Sequence, residues 1–252
     1  MGGLTSALVR DEGDALQQLT GADRPELRVP KILHRGEWHG MQILVLSALP
    51  TAGATRASTT ALTAAMRAVS VTPLRSTTNV GNYALVLERR ANELYEQVDE
   101  ADQAILDQLL RVLADLTAAC VHHQLITASW HGDWTPWNCG QRDGVVLVWD
   151  WERAASGVPQ GFDALHYRMQ DALVNGGVAH PVAARDCIEG APETLAVWEV
   201  RPEAARLVAA LYLTEIALRY IADDQRAAGG YGGRVETWIT PALEGYRESA
   251  SF

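Results

Sequence analysis

The stretch richest in groups able to do chemistry is Ser129-Trp130-His131-Gly132-Asp133-Trp134-Thr135-Pro136-Trp137-Asn138, followed by Val146-Leu147-Val148-Trp149-Asp150-Trp151-Glu152. Asp133 and Asn138 stand five residues apart in a turn holding Pro136, and Asp150 comes twelve residues later at the C-terminal end of an apolar strand. A hairpin across that interval brings Asn138 and Asp150 side by side. An amide oxygen and a carboxylate converging on one point suit Mg²⁺, which keeps several waters and bridges nucleotide phosphates. Asp133, on the same loop but outside the metal pair, faces an acceptor hydroxyl as base or orienting group. Phosphoryl transfer needs this division: a metal neutralises charge on the transferring group, and a separate carboxylate positions the nucleophile. A lone Asp or Asn in a turn is most often a turn former. The ordered set of three argues for chemistry.

The elements that must hold these residues are legible as periodic segments. Leu4 to Leu19 has apolar residues at helical spacing and ends before Gly21; Pro25 and Pro30 then mark a loop. Lys31–Arg35 and Met41–Leu46 read as two strands around a turn over Gly36–Gly40, and Leu49–Gly53 breaks the pattern like a hinge. Thr59–Val69 reads as a helix, Thr72–Asn82 as a loop, and Ala101–His122 as an amphipathic helix. Leu125–Trp130 is a short apolar link into His131, and Asp143-Gly144 opens the strand to Trp149. Beyond Phe162 the pattern is helical, with strong segments at Glu203–Ala222 and Val235–Glu248. The glycine cluster 229–233 between them has neither a preceding strand nor a following Lys-Ser/Thr, so it reads as an inter-helix turn rather than a phosphate cradle.

His-Gly-Asp-x-x-x-x-Asn, then an apolar strand and Asp-Trp-Glu, closely resembles the aminoglycoside phosphotransferase and choline kinase superfamily. Other parts resemble it in the same order: Glu12 with Leu16 and Leu19, the strands at 29–33 and 43–46, and Gly157 with Phe162-Asp163-Ala164-Leu165. The resemblance covers nearly the whole chain. It implies an α+β, protein-kinase-like fold. Residues 1–50 would be a reduced N-terminal lobe (a helix and two strands, with a hinge at 47–53), and residues 51–252 a mostly helical C-terminal lobe. It implies Asp133 as the catalytic aspartate, Asn138 and Asp150 as Mg²⁺ ligands, and Glu152 as a further metal ligand or a neighbour of one. His131 would brace the loop and Glu12 would be the helix glutamate beside the nucleotide. Ser47, Ala48 and Leu49 would be the hinge receiving the base of ATP or GTP. Asp163 reads as a helix cap, and Trp134, Trp137, Trp149 and Trp151 as packing around the loops.

The resemblance is incomplete at the front. The family begins with strands joined by a glycine-rich loop and a strand lysine that holds the α/β-phosphates and pairs with the helix glutamate. Here that glutamate is already at position 12, and Lys31, the only lysine, comes after it beside Pro30, where it reads as a solvated strand-end charge. Helix 4–19 would then lack its packing sheet and leave an apolar face for a protein partner or a second copy. Three explanations follow: the small lobe is supplied by a partner, the chain is an inactive relic acting as a scaffold, or the natural protein starts upstream of Met1. The expected activity is transfer of the nucleotide γ-phosphate to a hydroxyl. The acceptor would be a cationic small molecule or a peptide Ser/Thr, bound by the helical C-terminal region.

Composition narrows the remaining classes. The 252 residues are 48 % hydrophobic and 21 % charged, and 21 basic against 31 acidic residues give a formal charge of −10. That balance argues against a nucleic-acid binder, which needs clustered cations. Residues 101–200 carry 13 acidic groups against 5 basic ones. Such a field attracts metal ions and cationic ligands, and equally serves solubility. No apolar run is long enough for a transmembrane helix, and the first residues lack the signature of a signal peptide. Cys120, Cys139 and Cys187 are scattered and odd in number, which fits a reducing cytoplasm. No Gly-x-Ser-x-Gly elbow is present, and His122, His123, His131 and Cys139 lack zinc-site spacing.

Overall fold

Residues 2–21, 24–74, 82–198 and 200–249 are described by the computed structural model. Most of the turn-rich loop expected at Thr72–Asn82 lies outside them, as does the side chain of Leu4. The chain divides into two compact units, one of Met1–Asn79 with Thr127–Gln170 and the other of Val80–Ile126 with Asp171–Phe252. The sequence-based boundary at residue 50 falls inside the first.

In the first unit, α1 (Gly2–Thr20) packs on an antiparallel hairpin of β2 (Ile32–Trp38) and β3 (Met41–Leu46). His39 and Gly40 turn that hairpin with φ of 49° and 77°, the left-handed pair that matches strand twist. The turn is thus tighter than the expected Gly36–Gly40 stretch, because Gly36 stays in register opposite Ile43. Arg35 ties the helix to the strand: its Nη1 meets Asp14 Oδ1 at 2.7 Å and its Nη2 donates to the Arg10 carbonyl at 3.2 Å.

Contrary to the expected exposed apolar face on helix 4–19, α1 is covered along its C-terminal half. Ala15, Leu16 and Leu19 are all buried. The hairpin instead carries exposed apolar side chains, at Leu33, Trp38, Met41 and Val45. Cross-strand partners share a face, and register pairs Trp38 with Met41 and His34 with Val45, whereas Arg35 pairs with Leu44 on the opposite face. The helix covers the Arg35 side and leaves the other open.

The strands that carry the chemistry follow. β1 (Leu27–Arg28) runs parallel to β6 (Val145–Val148), which pairs antiparallel with β5 (Cys139–Arg142), in the order β1-β6-β5. Asp143 and Gly144, at φ 51° and 82°, close the β5–β6 hairpin. β4 (Thr127–Trp130) pairs antiparallel with β7 (Ala155–Pro159), so the expected apolar link before His131 is a strand. α2 (Thr59–Ser70) packs on β4 and β6, its first turn capped by Ser58, whose Oγ accepts from Ala61 N. After β7 the chain enters α5 (Phe162–Val174).

The second unit is helical, with α3 (Tyr83–Tyr95), α4 (Glu100–His122), α6 (His180–Glu189), α7 (Ala191–Leu195), α8 (Pro202–Ala222) and α9 (Ile239–Ser249). Asn82 and Asp99 cap α3 and α4 through side-chain bonds to backbone amides. α8 is apolar nearly all round and is buried on every side, packed by α3, α4, α6 and α9. The glycine cluster 229–233 connects α8 to α9 as a turn, with a short 3-10 segment at Tyr231–Gly233. Among the described residues no helix is long and apolar enough to cross a membrane. The three cysteines are free and buried, and burial pushes the Cys120 and Cys139 thiols up to about 11.

Candidate active site

The loop from β4 to β5 is built on His131. Its Nδ1 accepts the Asp133 backbone N–H at 3.1 Å, which leaves the Nε2 proton to donate to the Trp149 carbonyl at 3.0 Å. The ring therefore links the Asp133 loop to the end of β6. It lies against Trp151, with ring centroids 4.4 Å apart, and near Trp134 at 5.7 Å. Trp134 and Trp151 are both fully buried, so they pack the loop, while Trp137 is nearly half exposed.

Gly132 takes φ +85°, and a Cβ built there would sit 2.2 Å from the Arg153 carbonyl oxygen. Only glycine lets the two backbones approach this closely. Asp163, at the start of α5 and 5 % exposed, accepts the backbone N–H of His131 on Oδ2 at 2.8 Å and that of Gly132 on Oδ1 at 3.2 Å. Its carboxylate braces this loop, where the sequence suggested a helix cap.

Asp133 is held at both carboxylate oxygens. Asn138 Nδ2 donates to Oδ2 at 2.8 Å and also to the Asp133 carbonyl at 3.0 Å. His166 Nε2 meets Oδ1 at 3.1 Å. With its amide nitrogen so engaged, Asn138 keeps its side-chain oxygen for another ligand. On the other side of the hairpin, Trp149 N donates to the Asn138 carbonyl at 3.2 Å, which sets Asp150 one residue beyond the partner of Asn138. Asp150 has φ +68°, a left-handed backbone that Asp tolerates better than most residues.

The electrostatics show unbalanced negative charge. Burial raises the Asp150 carboxyl above its usual range and the Asp133 charge adds to the rise, against a lowering by Arg153. Burial likewise raises Glu12, with repulsion from Asp150 and Glu152, against the bond that its Oε1 accepts from Trp151 N at 3.3 Å. Glu12 thus binds the backbone amide one residue beyond Asp150. Glu152 lies beside Glu12 and within 3.8 Å of the Arg153 guanidinium. Among the described residues, no three His, Cys, Asp or Glu side chains form a metal cage. Asn138 and Asp150 on the hairpin offer one amide and one carboxylate, ligand types that suit a cation retaining most of its water.

The residues expected to form the hinge follow β3 and close the base of the β2–β3 hairpin. Ser47 N donates to the Lys31 carbonyl at 2.8 Å, and Ser47 Oγ accepts from Lys31 N at 2.9 Å. Leu49 accepts from Thr51 N at 2.8 Å, Ala48 is exposed, and Thr55 exchanges both backbone bonds with Gln141 of β5. Lys31 is exposed at the start of β2. Sequence reasoning missed His166. A helical histidine 33 residues after Asp133 has no spacing that ties it to the loop; the one available signal was its position three residues after Asp163, on the same helix face.

No protein-family model matches the sequence, and no curated protein matches it either. Solved structures do match its fold. Aminoglycoside phosphotransferase APH(4)-Ia, in a ternary complex with ADP and hygromycin B, is 14 % identical, with a TM-score of 0.61 over 98 % of this chain and 84 % of that one. Choline kinase from Streptococcus pneumoniae is also 14 % identical, with a TM-score of 0.62 over 98 % and 84 %. An aminoglycoside 2″-phosphotransferase bound to GDP and kanamycin is 15 % identical, with a TM-score of 0.53 over 99 % and 85 %. The chain has the protein-kinase-like fold of the aminoglycoside phosphotransferases and choline kinase.

Proposed function

We propose that this protein transfers the γ-phosphoryl group of ATP or GTP to an alcohol. The observation that carries the reading is the Asp133 carboxylate held by Asn138 Nδ2 and His166 Nε2 while Asp150 stands beside it on the hairpin. An ionised carboxylate only accepts hydrogen bonds, so Asp133 would receive the proton of an incoming hydroxyl. The acceptor oxygen attacks the γ-phosphorus in line, the bond to the β-phosphate oxygen breaks, the nucleoside diphosphate leaves, and Asp133 takes the hydroxyl proton. Asn138 and Asp150 are the residues that would hold Mg²⁺, which supplies positive charge against the phosphates; Glu12 and Glu152 add to the field it would neutralise. The hinge at Ser47, Ala48 and Leu49 would receive the base. Use of a cellular nucleotide and three free thiols fits a cytoplasmic setting.

A cationic acceptor fits the charge distribution. The helical unit holds 20 acidic and 10 basic residues, whereas the first unit holds 11 of each, so the whole formal charge of −10 resides in the helical unit. That field raises the local concentration of cationic alcohols. The fold neighbours include structures with hygromycin B and kanamycin and a choline kinase. Two observations favour the scaffold reading instead: Glu12 binds a backbone amide, and Lys31 is exposed at a strand end. No lysine clamp on the phosphates is formed among the described residues.

The test is a thermal-shift titration with Mg-ATP and Mg-GTP, followed by phosphate transfer to kanamycin, hygromycin B, choline and a serine peptide. Saturation at about 100 times Kd stabilises the native state by about 2.7 kcal/mol, a rise of roughly 5–10 °C for a chain of this size. A flat titration with both nucleotides, together with no transfer, leaves the scaffold reading standing. Within the enzyme reading, Asp150→Asn should raise the Mg²⁺ needed for half-maximal rate by roughly 10–100-fold. Asparagine keeps the left-handed backbone at 150, which alanine would strain. An unchanged Mg²⁺ requirement removes Asp150 from the metal site.

A further inference from the structure

The geometry points to His166 as the positioning residue for Asp133. This rests on the phosphoryl-transfer reading and adds a residue to it. His166 is 2 % exposed on α5, and its Nε2 meets Asp133 Oδ1 at 3.1 Å. Three residues earlier on the same helix, Asp163 accepts the N–H groups of His131 and Gly132. Residues three apart lie on one helix face. One face of α5 therefore holds the loop twice, by its backbone at 131–132 and by its acidic side chain at 133.

The two contacts do different work. Asp163 fixes where the loop runs, and that alone leaves the Asp133 side chain free to rotate. Asn138 restrains one carboxylate oxygen, but it sits on the same loop and is also a candidate metal ligand, so it moves with what it binds. His166 restrains the other oxygen from a separate, rigid element. With both oxygens held, the carboxylate plane is set before an alcohol arrives, and pre-set geometry of this kind is worth up to about a hundredfold in rate when lost. A histidine buried for packing alone needs some polar partner, yet any carbonyl would serve. Here the partner is the carboxylate that faces the nucleophile.

The experiment compares His166→Leu with His166→Gln in the full chain. Glutamine places an N–H donor close to where Nε2 stood; leucine fills the volume without one. His166→Leu should lower kcat about 10–100-fold with KM for the nucleotide and the nucleotide-induced thermal shift unchanged, and His166→Gln should recover most of the rate. Full kcat in His166→Leu overturns the proposal. So does a loss in which kcat, KM and the thermal shift all worsen together in both variants, because that is a packing defect. A second readout needs no turnover. In ¹⁵N-labelled protein the side-chain amide of Asn138, bonded to Asp133, should shift in His166→Leu and return in His166→Gln. If the wild-type chain transfers no phosphate, the functional reading fails on its own, and an unmoved Asn138 amide separately removes the positioning role.

Discussion

Asp133→Ala is expected to lower phosphoryl transfer by about a hundred- to ten-thousand-fold, the range that a positioned acid–base group contributes, while nucleotide binding stays near wild type. The separation follows from where Asp133 points its bonds. Its carboxylate oxygens meet Asn138 Nδ2 and His166 Nε2, and its backbone N–H is held by His131 Nδ1, a bond alanine retains. The Asp163 bonds to the His131 and Gly132 amides also survive the substitution, so the loop keeps its course. Removing the Asp133 charge lessens the repulsion that raises Asp150 and also removes one attraction for a cation, two effects that oppose each other. The measurement is kcat and KM for the nucleotide with the best acceptor of the panel, beside the thermal shift given by Mg-nucleotide. Turnover within tenfold of wild type excludes Asp133 as the group that accepts the proton. Lost nucleotide binding would instead assign it to the phosphate site.

How much of this was readable without coordinates depends on whether a feature is local. The β5–β6 hairpin announces itself through Asp143-Gly144 and the apolar run after it, so the pairing that sets Asp150 beside Asn138 follows from chain order alone. Long helices such as α4 and α8 repeat their apolar residues often enough to be seen. The two-residue β1 and the β4–β7 pair do not, since strands this short exist because a distant partner accepts their bonds. The burial of Leu16 and Leu19 is hidden from the sequence for a related reason: a reduced lobe suggests an uncovered helix, but the β2–β3 hairpin packs on α1. The exposed surface passes to the outer face of that hairpin. His166 and the brace formed by Asp163 lie 33 and 30 residues from Asp133 in sequence, and only the descent of β7 into α5 returns them to the loop. Motif order picked out Asp133 as a candidate, and tertiary packing supplied the side chains that hold its carboxylate.

Glu215→Gln should cost the fold about 3 kcal/mol, without touching any residue of the candidate active site. Glu215 lies on α8 with its side chain 7 % exposed, and it accepts from Tyr83 Oη at 2.9 Å and from Arg90 Nη1, both on α3; Arg219 lies 4.0 Å away on its own helix. Burial pushes this carboxyl up, but the guanidinium groups of Arg90 and Arg219 and the bonds from Arg90 and Tyr83 outweigh it, so Glu215 titrates below the usual carboxylate range. Removing one member of a buried pair costs about 3–5 kcal/mol because it strands the other charge. The lower end applies because the Arg90 side chain is 35 % exposed and water screens it. A depressed carboxyl contributes stability above its unfolded value near 4.3 and loses it as pH falls through the folded value. Denaturant midpoints of wild type and Glu215→Gln should therefore differ most above about pH 5 and converge in more acidic solution. In a cycle with Tyr83→Phe the two losses should fall short of additive, since Glu215→Gln removes the charge that strengthens the bond Tyr83→Phe deletes. A constant gap from pH 7 down to pH 3 would mean that Glu215 holds α3 to α8 by shape rather than by charge.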